Sequence, residues 1–450
     1  VVTVDSNDSF SLRIVRNLGD YPEHKLDIFL FVPGELGLSV DVVTERALYH
    51  QAFHITRTYH SQVQLEPLVR SRLVQRLAKQ QERPTPEYRL SLSLYAYQYV
   101  NAIEQEVGRI LRERPENLRE TLAELLDLSA TIMRRLRRTA PKDDALRRYY
   151  TNVDNYLSWF SEQQFLRLAA ELEFASDEQD IRELLLRIAR RESKYRNENE
   201  YNSERVQTDS TRMSNKMRLL RRLIEFPVTL RRVGHELGNI EERFVKAGVA
   251  AVVMTAVSYA VLRARDTLGD VTAVFIAAVA LLYAVREVFK DDIRQKLWLW
   301  LRKGRPKWRH EFVDPNNENV VGKSVEWIDY KNFEDLASEI KKARRASTPQ
   351  RGEAVLHYSS WSKMLPSRFL SGYATTRETI VLDLEVLAPL LEQSTYPIYR
   401  QEGNEVVRDI VEKRSVLNIV IRERWSDKDD IQRWKVVLNR NGIVETEAAS

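Results

Sequence analysis

The chain has 450 residues, 43% of them apolar and 30% charged, which is too long for one compact core and ordinary globular material for most of its length. A formal net charge of +5 is too small and diffuse to point to nucleic acid, so any basic partner site must be local. The absence of cysteine excludes a disulfide framework, a catalytic thiol and thiolate metal sites, and fits a reducing compartment.

The opening stretch VVTVDSNDSFSLRIV lacks the basic start and long apolar run of a secretory signal. Residues 1–98 read as an α+β domain. FSLRIV and HKLDIFLFVPG are expected strands, the second ending at Pro33-Gly34. Ser39 is placed to cap a helix through VDVVTERALYHQAF. In YRLSLSLYAYQ, Leu90, Leu92 and Leu94 alternate with Ser91 and Ser93, which predicts a strand.

Residues 99–243 read as a helical region. Leu118, Leu122, Leu125, Ile132, Met133 and Leu136 follow helical spacing, as do Ile181, Leu184, Leu185 and Ile188. Pro115 and Pro141 mark breaks, and RNENEYNSER is a polar linker. A basic helix follows, in which Arg212, Lys216, Arg218, Arg221 and Arg222 flank the apolar row Met213, Met217, Leu220 and Ile224. Its place before an apolar segment suits contact with anionic lipid. A second basic cluster, Arg134, Arg135, Arg137 and Arg138, reads as a solvated helix face.

Residues 244–289 are expected to form a two-helix transmembrane hairpin. The uninterrupted apolar runs, Ala247–Leu262 and Val271–Val285, fall slightly short of the roughly 20 residues that a span requires. Snorkelling by Lys246 and Arg286 extends them. A buried soluble hairpin is the alternative. Small residues recur four apart, and Ala256, Ala260, Ala277 and Ala280 are the expected packing positions between the spans. Cations crowd both flanks, while the turn RARDTLGD balances its two arginines with two aspartates. The positive-inside rule then gives a two-pass protein of a bacterial-type inner membrane with both termini cytoplasmic. Residues 290–308 read as an interfacial helix, with Trp298, Trp300, Arg302 and Lys303 at the headgroup layer.

Residues 309–450 read as a second α+β domain. FEDLASEIKKARRA is an expected helix, followed by the loop STPQRGE. ETIVLDLEVLAPLL begins as a strand. SVLNIVIRERW and QRWKVVLNRNGIVETE are expected antiparallel strands, with a hairpin turn at Asn441-Gly442. The fold expected for the whole chain is thus two cytoplasmic α+β regions and a helical region, joined through the membrane hairpin.

Candidate chemistry is sparse. His50 and His54 share a face if the segment is helical, and with His60 they form a candidate metal site that Glu45 or Glu35 would complete. VVGKS lacks the first glycine of a phosphate loop, having Asn317 in its place. SSWSK sets Ser360 and Lys363 in a Ser–Lys spacing near His357, without companion motifs. Asp383 with Glu385, and Asp427 with Asp429 and Asp430, read as turn acids or cation ligands. No motif calls for a cofactor. The sequence therefore suggests a membrane-anchored cytoplasmic interaction and assembly protein, with anionic lipid, a second copy of itself and a cytoplasmic protein as partners, and not nucleic acid. The alternatives are a membrane-tethered metal-dependent hydrolase using His50, His54 and His60, and an oligomeric effector that perturbs the bilayer.

Overall fold

A computed structural model describes every residue except 1, 7, 20, 62–63, 71–84, 176–177, 269–272, 303, 346–351, 392–394, 404 and 450. The elements run β1 (Thr3–Ser6), β2 (Ser11–Leu18), β3 (Glu23–Val32), α1 (Glu45–Ala52), β4 (Phe53–His60) and α2 (Leu65–Val69). The helices α3 (Thr85–Glu113), α4 (Leu118–Arg137), α5 (Asp144–Glu171), α6 (Gln179–Glu198), α7 (Glu204–Gln207) and α8 (Ser210–Glu225) follow. Next come β5 (Arg231–Glu236), α9 (Asn239–Leu268), α10 (Ala273–Arg302), β6 (Trp308–Val313), β7 (Val320–Lys331) and α11 (Ser338–Arg344). The chain closes with β8 (Ala354–Met364), β9 (Thr375–Asp383), β10 (Thr395–Glu402), β11 (Glu405–Glu412), β12 (Ser415–Trp425), β13 (Lys428–Asn439) and β14 (Gly442–Ala449).

Two antiparallel sheets form the body. One has the order β1-β2-β9-β4, the other β14-β13-β12-β3-β8-β7-β6-β5. The N- and C-terminal strands are interleaved. β3 lies between β8 and β12, and β9 lies between β2 and β4. The expectation of two α+β regions is corrected accordingly. With 51% helix and 30% strand, in sheets assembled from both ends of the sequence, the chain is mixed α/β.

β3 shows why the sheets meet there. Its run IFLFV, from Ile28 to Val32, is apolar at successive positions, as a strand covered on both faces requires. Leu26, Ile28 and Leu30 pack with Leu12, Ile14, Ile380 and Leu382 of the smaller sheet. Phe29 and Phe31 point the other way, onto Phe333, Leu336 and Ile340 around α11. A helical bundle of α3, α4, α5, α6 and α8 forms the remaining core, joined to the sheets through Leu18, Tyr59, Phe312 and Met364.

YRLSLSLYAYQ is helical, not a strand. Beyond the short alternation of leucines, Tyr88, Leu92, Tyr95, Tyr99, Ile103, Val107 and Ile110 repeat at helical spacing, and all are buried. The serines sit inside the bundle, where the Ser93 hydroxyl hydrogen-bonds that of Tyr149 at 2.6 Å. The α8 apolar row is also accounted for. Met217, Leu220 and Ile224 are buried in the bundle, so this helix does not offer an apolar face to lipid.

A buried charge knot sits between the sheets. Arg16 of β2 donates from Nε to Glu378 Oε2 of β9 at 2.5 Å and from Nη1 to Glu423 Oε1 of β12 at 3.3 Å. Arg57 of β4 donates to Glu378 Oε1 through Nε at 2.7 Å and again through Nη2, and its guanidinium lies over the Phe312 ring. Burial works to raise the Glu378 carboxyl, yet Arg16 and Arg57 hold it below the usual carboxylate range.

Removing Glu378 would leave the buried Arg57 without a carboxylate partner and Arg16 with Glu423 alone. Glu378→Ala is expected to lower the stability of the fold by about 3–5 kcal/mol. Glu23→Ala, which breaks the exposed pair with Lys363, should cost no more than about 1 kcal/mol. Urea unfolding of the two variants tests the contrast, and equal losses would remove the knot from its structural role.

Candidate functional site at the base of a helical arm

The helices α9 and α10 pack along one another. Their inner seam is narrow. Val249, Val253, Val257 and Ala260 on α9, and Phe275, Val279 and Leu282 on α10, are the less exposed positions, spaced three and four apart as in a coiled coil. The outer faces stay apolar. Val252, Leu281 and Val288 are 71%, 66% and 66% exposed, and Tyr259, Leu262, Val274 and Ile276 are exposed with them. That is far more contiguous apolar surface than a water-facing helix pair carries.

Among the described residues, one helix is long and apolar enough to cross a membrane, Ile240–Asp266, with only 11% of its most apolar stretch buried. The expected transmembrane hairpin is corrected on this point. In α10 the uncharged stretch is only Ala273–Val285, short of the roughly 20 residues that a span requires. No separate interfacial helix exists either. Residues 290–302 continue α10 without a break. The turn at 269–272 lies outside the described residues.

The packing alanines are also relocated. Ala256, Ala277 and Ala280 face outward and are exposed, and Ala260 alone of the four lies in the seam. A row of small residues four apart fits any face of an Ala- and Val-rich helix, so the spacing did not choose the face.

The two ends of the arm meet at the body. β5 and β6 are hydrogen-bonded neighbours, from Arg231 opposite Val313 to Glu236 opposite Trp308. The Leu237 amide then donates to the Lys307 carbonyl at 2.8 Å. Arg302, at the end of α10, is buried. It donates to the Leu237 carbonyl at 2.7 Å, pairs with Glu241 at 3.4 Å and lies over the Trp298 ring. Gly238 makes this approach feasible. Its φ is +98°, and a Cβ there would come within 2.8 Å of the Arg302 guanidinium carbon.

Below the junction lies a buried polar knot. Glu326 of β7 accepts from the Tyr49 hydroxyl at 2.6 Å, from Arg232 Nη2 at 2.6 Å and from the Ser324 hydroxyl at 2.9 Å. Burial opposes its charge, but His310 and Arg232 hold the carboxyl below its usual range. Tyr49 stacks on Trp308 at 3.7 Å. Lys307 bridges Glu45 and Asp329, at 2.7 Å to each. A cavity of about 440 Å³ opens beside this knot, with Trp298, Trp300, Trp308 and Tyr330 among its walls.

The sequence-derived candidates fall in different places. Trp298 and Trp300 line that cavity, Arg302 pins the arm, and Lys303 lies outside the described residues. On α8, Lys216 donates to the Tyr201 carbonyl at 2.8 Å and Arg221 pairs with Glu104 and Glu225. Arg212, Arg218 and Arg222 remain exposed. The histidines are not gathered. α1 ends at Ala52, so His50 is on a helix while His54 and His60 are on β4, six residues and roughly 20 Å apart. Among the described residues, no group of three metal-ligating side chains is assembled.

The other motifs are structural. Gly322–Ser324 lies inside β7. Ser360 and Lys363 are three apart on β8 and so face opposite ways, Ser360 buried and Lys363 paired with Glu23 at the surface. Asp383 caps the turn at Glu385, and Asp429 pairs with Arg422. No family model, no curated protein and no solved structure matches this chain.

Gly238→Ala is expected to destabilise the protein by roughly 1–3 kcal/mol, from positive φ and the clash with Arg302. Adding Arg302→Ala should recover part of that loss, so the double variant falls short of additivity. Full additivity in thermal unfolding would mean that the two residues do not meet. A second expectation concerns acid. His24 and His60 are pushed down to about 4 by burial, with Arg16 and Arg377 respectively adding to the effect. The unfolded chain takes up these protons near 6.5 and the folded chain resists to about 4. Their stabilisation is therefore complete above 6.5 and is lost as pH falls towards 4. His60→Gln, which keeps an acceptor for Arg377, should flatten the fall in melting temperature over that range. An unchanged profile would clear His60 of the effect.

Proposed function

We propose that this chain is a membrane-attached interaction and assembly protein with no catalysis of its own. The arm lays its exposed apolar outer faces against a bilayer, with α9 the helix long and apolar enough to enter it. The observation that carries this reading is the exposure of large apolar side chains along both helices. Each is worth roughly 1.5–3 kcal/mol when fully removed from water, so a handful suffices to hold the body at a surface. Exposed cations near the base, Arg243, Lys296 and Arg305, suit anionic headgroups. The outward strips at Ala256, Ala277 and Ala280 allow a second copy's arm to pack closely, which supports self-association within the lipid.

The β5–β6 ladder provides a clean test, because it lets the arm be cut out at its base. Replacing residues 238–306 with Asn-Gly should leave a hairpin between Leu237 and Lys307 and preserve the sheet. The intact chain should float with vesicles of phosphatidylcholine and phosphatidylglycerol, and the excised chain should stay behind with a cooperative melt. An intact chain that remains soluble without vesicles or detergent, or an excised chain that floats equally well, would end this reading.

A further inference from the structure

The outer face of the smaller sheet forms the floor of a second cavity, of about 460 Å³, roofed by α3 and α8. Strand register builds that floor. Arg377 of β9 lies opposite Asn17 of β2 and Thr58 of β4, and the next outward row is Val15, Thr379 and Thr56. Arg13 stands a row further along, Arg112 comes from α3 and Arg221 from α8, so four guanidinium groups border one cavity.

Their partners differ. Arg221 is held by two carboxylates, Glu104 at 3.2 Å and Glu225 at 2.7 Å. Arg13 has a loose, exposed contact with Asp5 at 3.7 Å. Arg377 has neutral partners. Its Nε donates to Asn17 Oδ1 at 3.1 Å and its Nη2 to His60 Nε2 at 3.2 Å. Accepting that bond leaves the His60 proton on Nδ1, so the imidazole is neutral and adds no counter-charge. Among the described residues, neither Arg377 nor Arg112 pairs with a carboxylate. Burial works against the Arg377 charge; Tyr97 and Glu104 favour it and Arg13 and Arg221 repel it, with the balance against the charge. Arginine does not shed its proton to relieve this.

We propose that this groove binds a small phosphate-bearing anion, with Arg377 as the fork at its floor and Arg112 and Arg13 closing on it from the rim. A guanidinium held by neutral partners keeps donors free for two phosphate oxygens at once. Of the threonine hydroxyls of the floor, Thr58 and Thr379 supply neutral donors beside it, while Thr56 already donates to the Thr379 carbonyl. The cavity is of the size that holds small ligands. The anion's source is either a soluble phosphate ester or a lipid headgroup. This inference does not depend on the arm, which is built from other elements.

The test uses the full chain in detergent, with inorganic pyrophosphate as the probe. Pyrophosphate should raise the melting temperature beyond the effect of sodium chloride at equal ionic strength, and titration calorimetry should give a saturable isotherm that weakens with salt. Arg377→Gln should weaken binding roughly tenfold or more, the scale of one lost charge-assisted contact. Arg112→Gln, an exposed change that leaves the core untouched, should weaken it too, so a folding failure at Arg377 does not shelter the idea. Displacement of pyrophosphate by phosphatidylcholine vesicles containing phosphatidic acid assigns a lipid source, and indifference to them assigns a soluble one. No effect of pyrophosphate beyond ionic strength, or binding that both variants retain in full, would overturn the site.

Discussion

The fold turns on one carboxylate. Glu378 sits between Arg16 and Arg57, and through them it ties the smaller sheet to β12 of the larger one and to Phe312 of β6 and Met364 of β8, which pack on the bundle. Charges this deep are poor value as a source of stability alone, since desolvation offsets most of the attraction. Their effect is on register. A strand slipped by one residue would turn Glu378 outward and bring Arg377 into the interior opposite Arg16 and Arg57. The alternation TRETIVLD thus holds one correct pairing, with Arg377 to the groove and Glu378 to the core.

Local patterns in the sequence carried the local structure. FSLRIV and HKLDIFLFV are strands, the spacings at 118–136 and 181–188 are helices, and Asn441-Gly442 makes the turn between β13 and β14, held by Asn439 Oδ1 accepting from the Gly442 amide. Where a short window competed with a longer one, the short one misled. Five residues of Leu/Ser alternation lie inside a helix whose real period shows over about six turns. The His50 and His54 pairing failed for a related reason. Ile55, Thr56 and Thr58 are β-branched, and the period of two from Phe53 to Tyr59 already marks a strand. Other features were not legible at all. The interleaving of β3 and β9 is a matter of long-range pairing, and the groove around Arg377 draws on several elements far apart in sequence. No local spacing announces either.

The arm is attached stiffly to its body. Arg302 reaches back to Leu237 and Glu241, Gly238 leaves room for it, and Tyr49 and Trp308 stack beneath. The knot around Glu326 connects these groups to α1 and β7 in the sheet. Each of the two helices has 30 residues, which makes a lever of about 45 Å on that footing. The orientation of the body relative to the arm is therefore set by buried contacts and not by a flexible linker.

Interleaving has a consequence for synthesis. β3 must wait for β8 and β12, which lie more than three hundred residues downstream. At the usual pace of about 5–20 residues per second, its apolar side chains go unpaired for roughly 15–65 s after they leave the ribosome. Both arm helices emerge within that interval, before β8, β9 and β12 exist. Both arm helices, including α9 with the length and apolarity to cross a membrane, are thus complete while the sandwich is still open, and the two sheets close only afterwards.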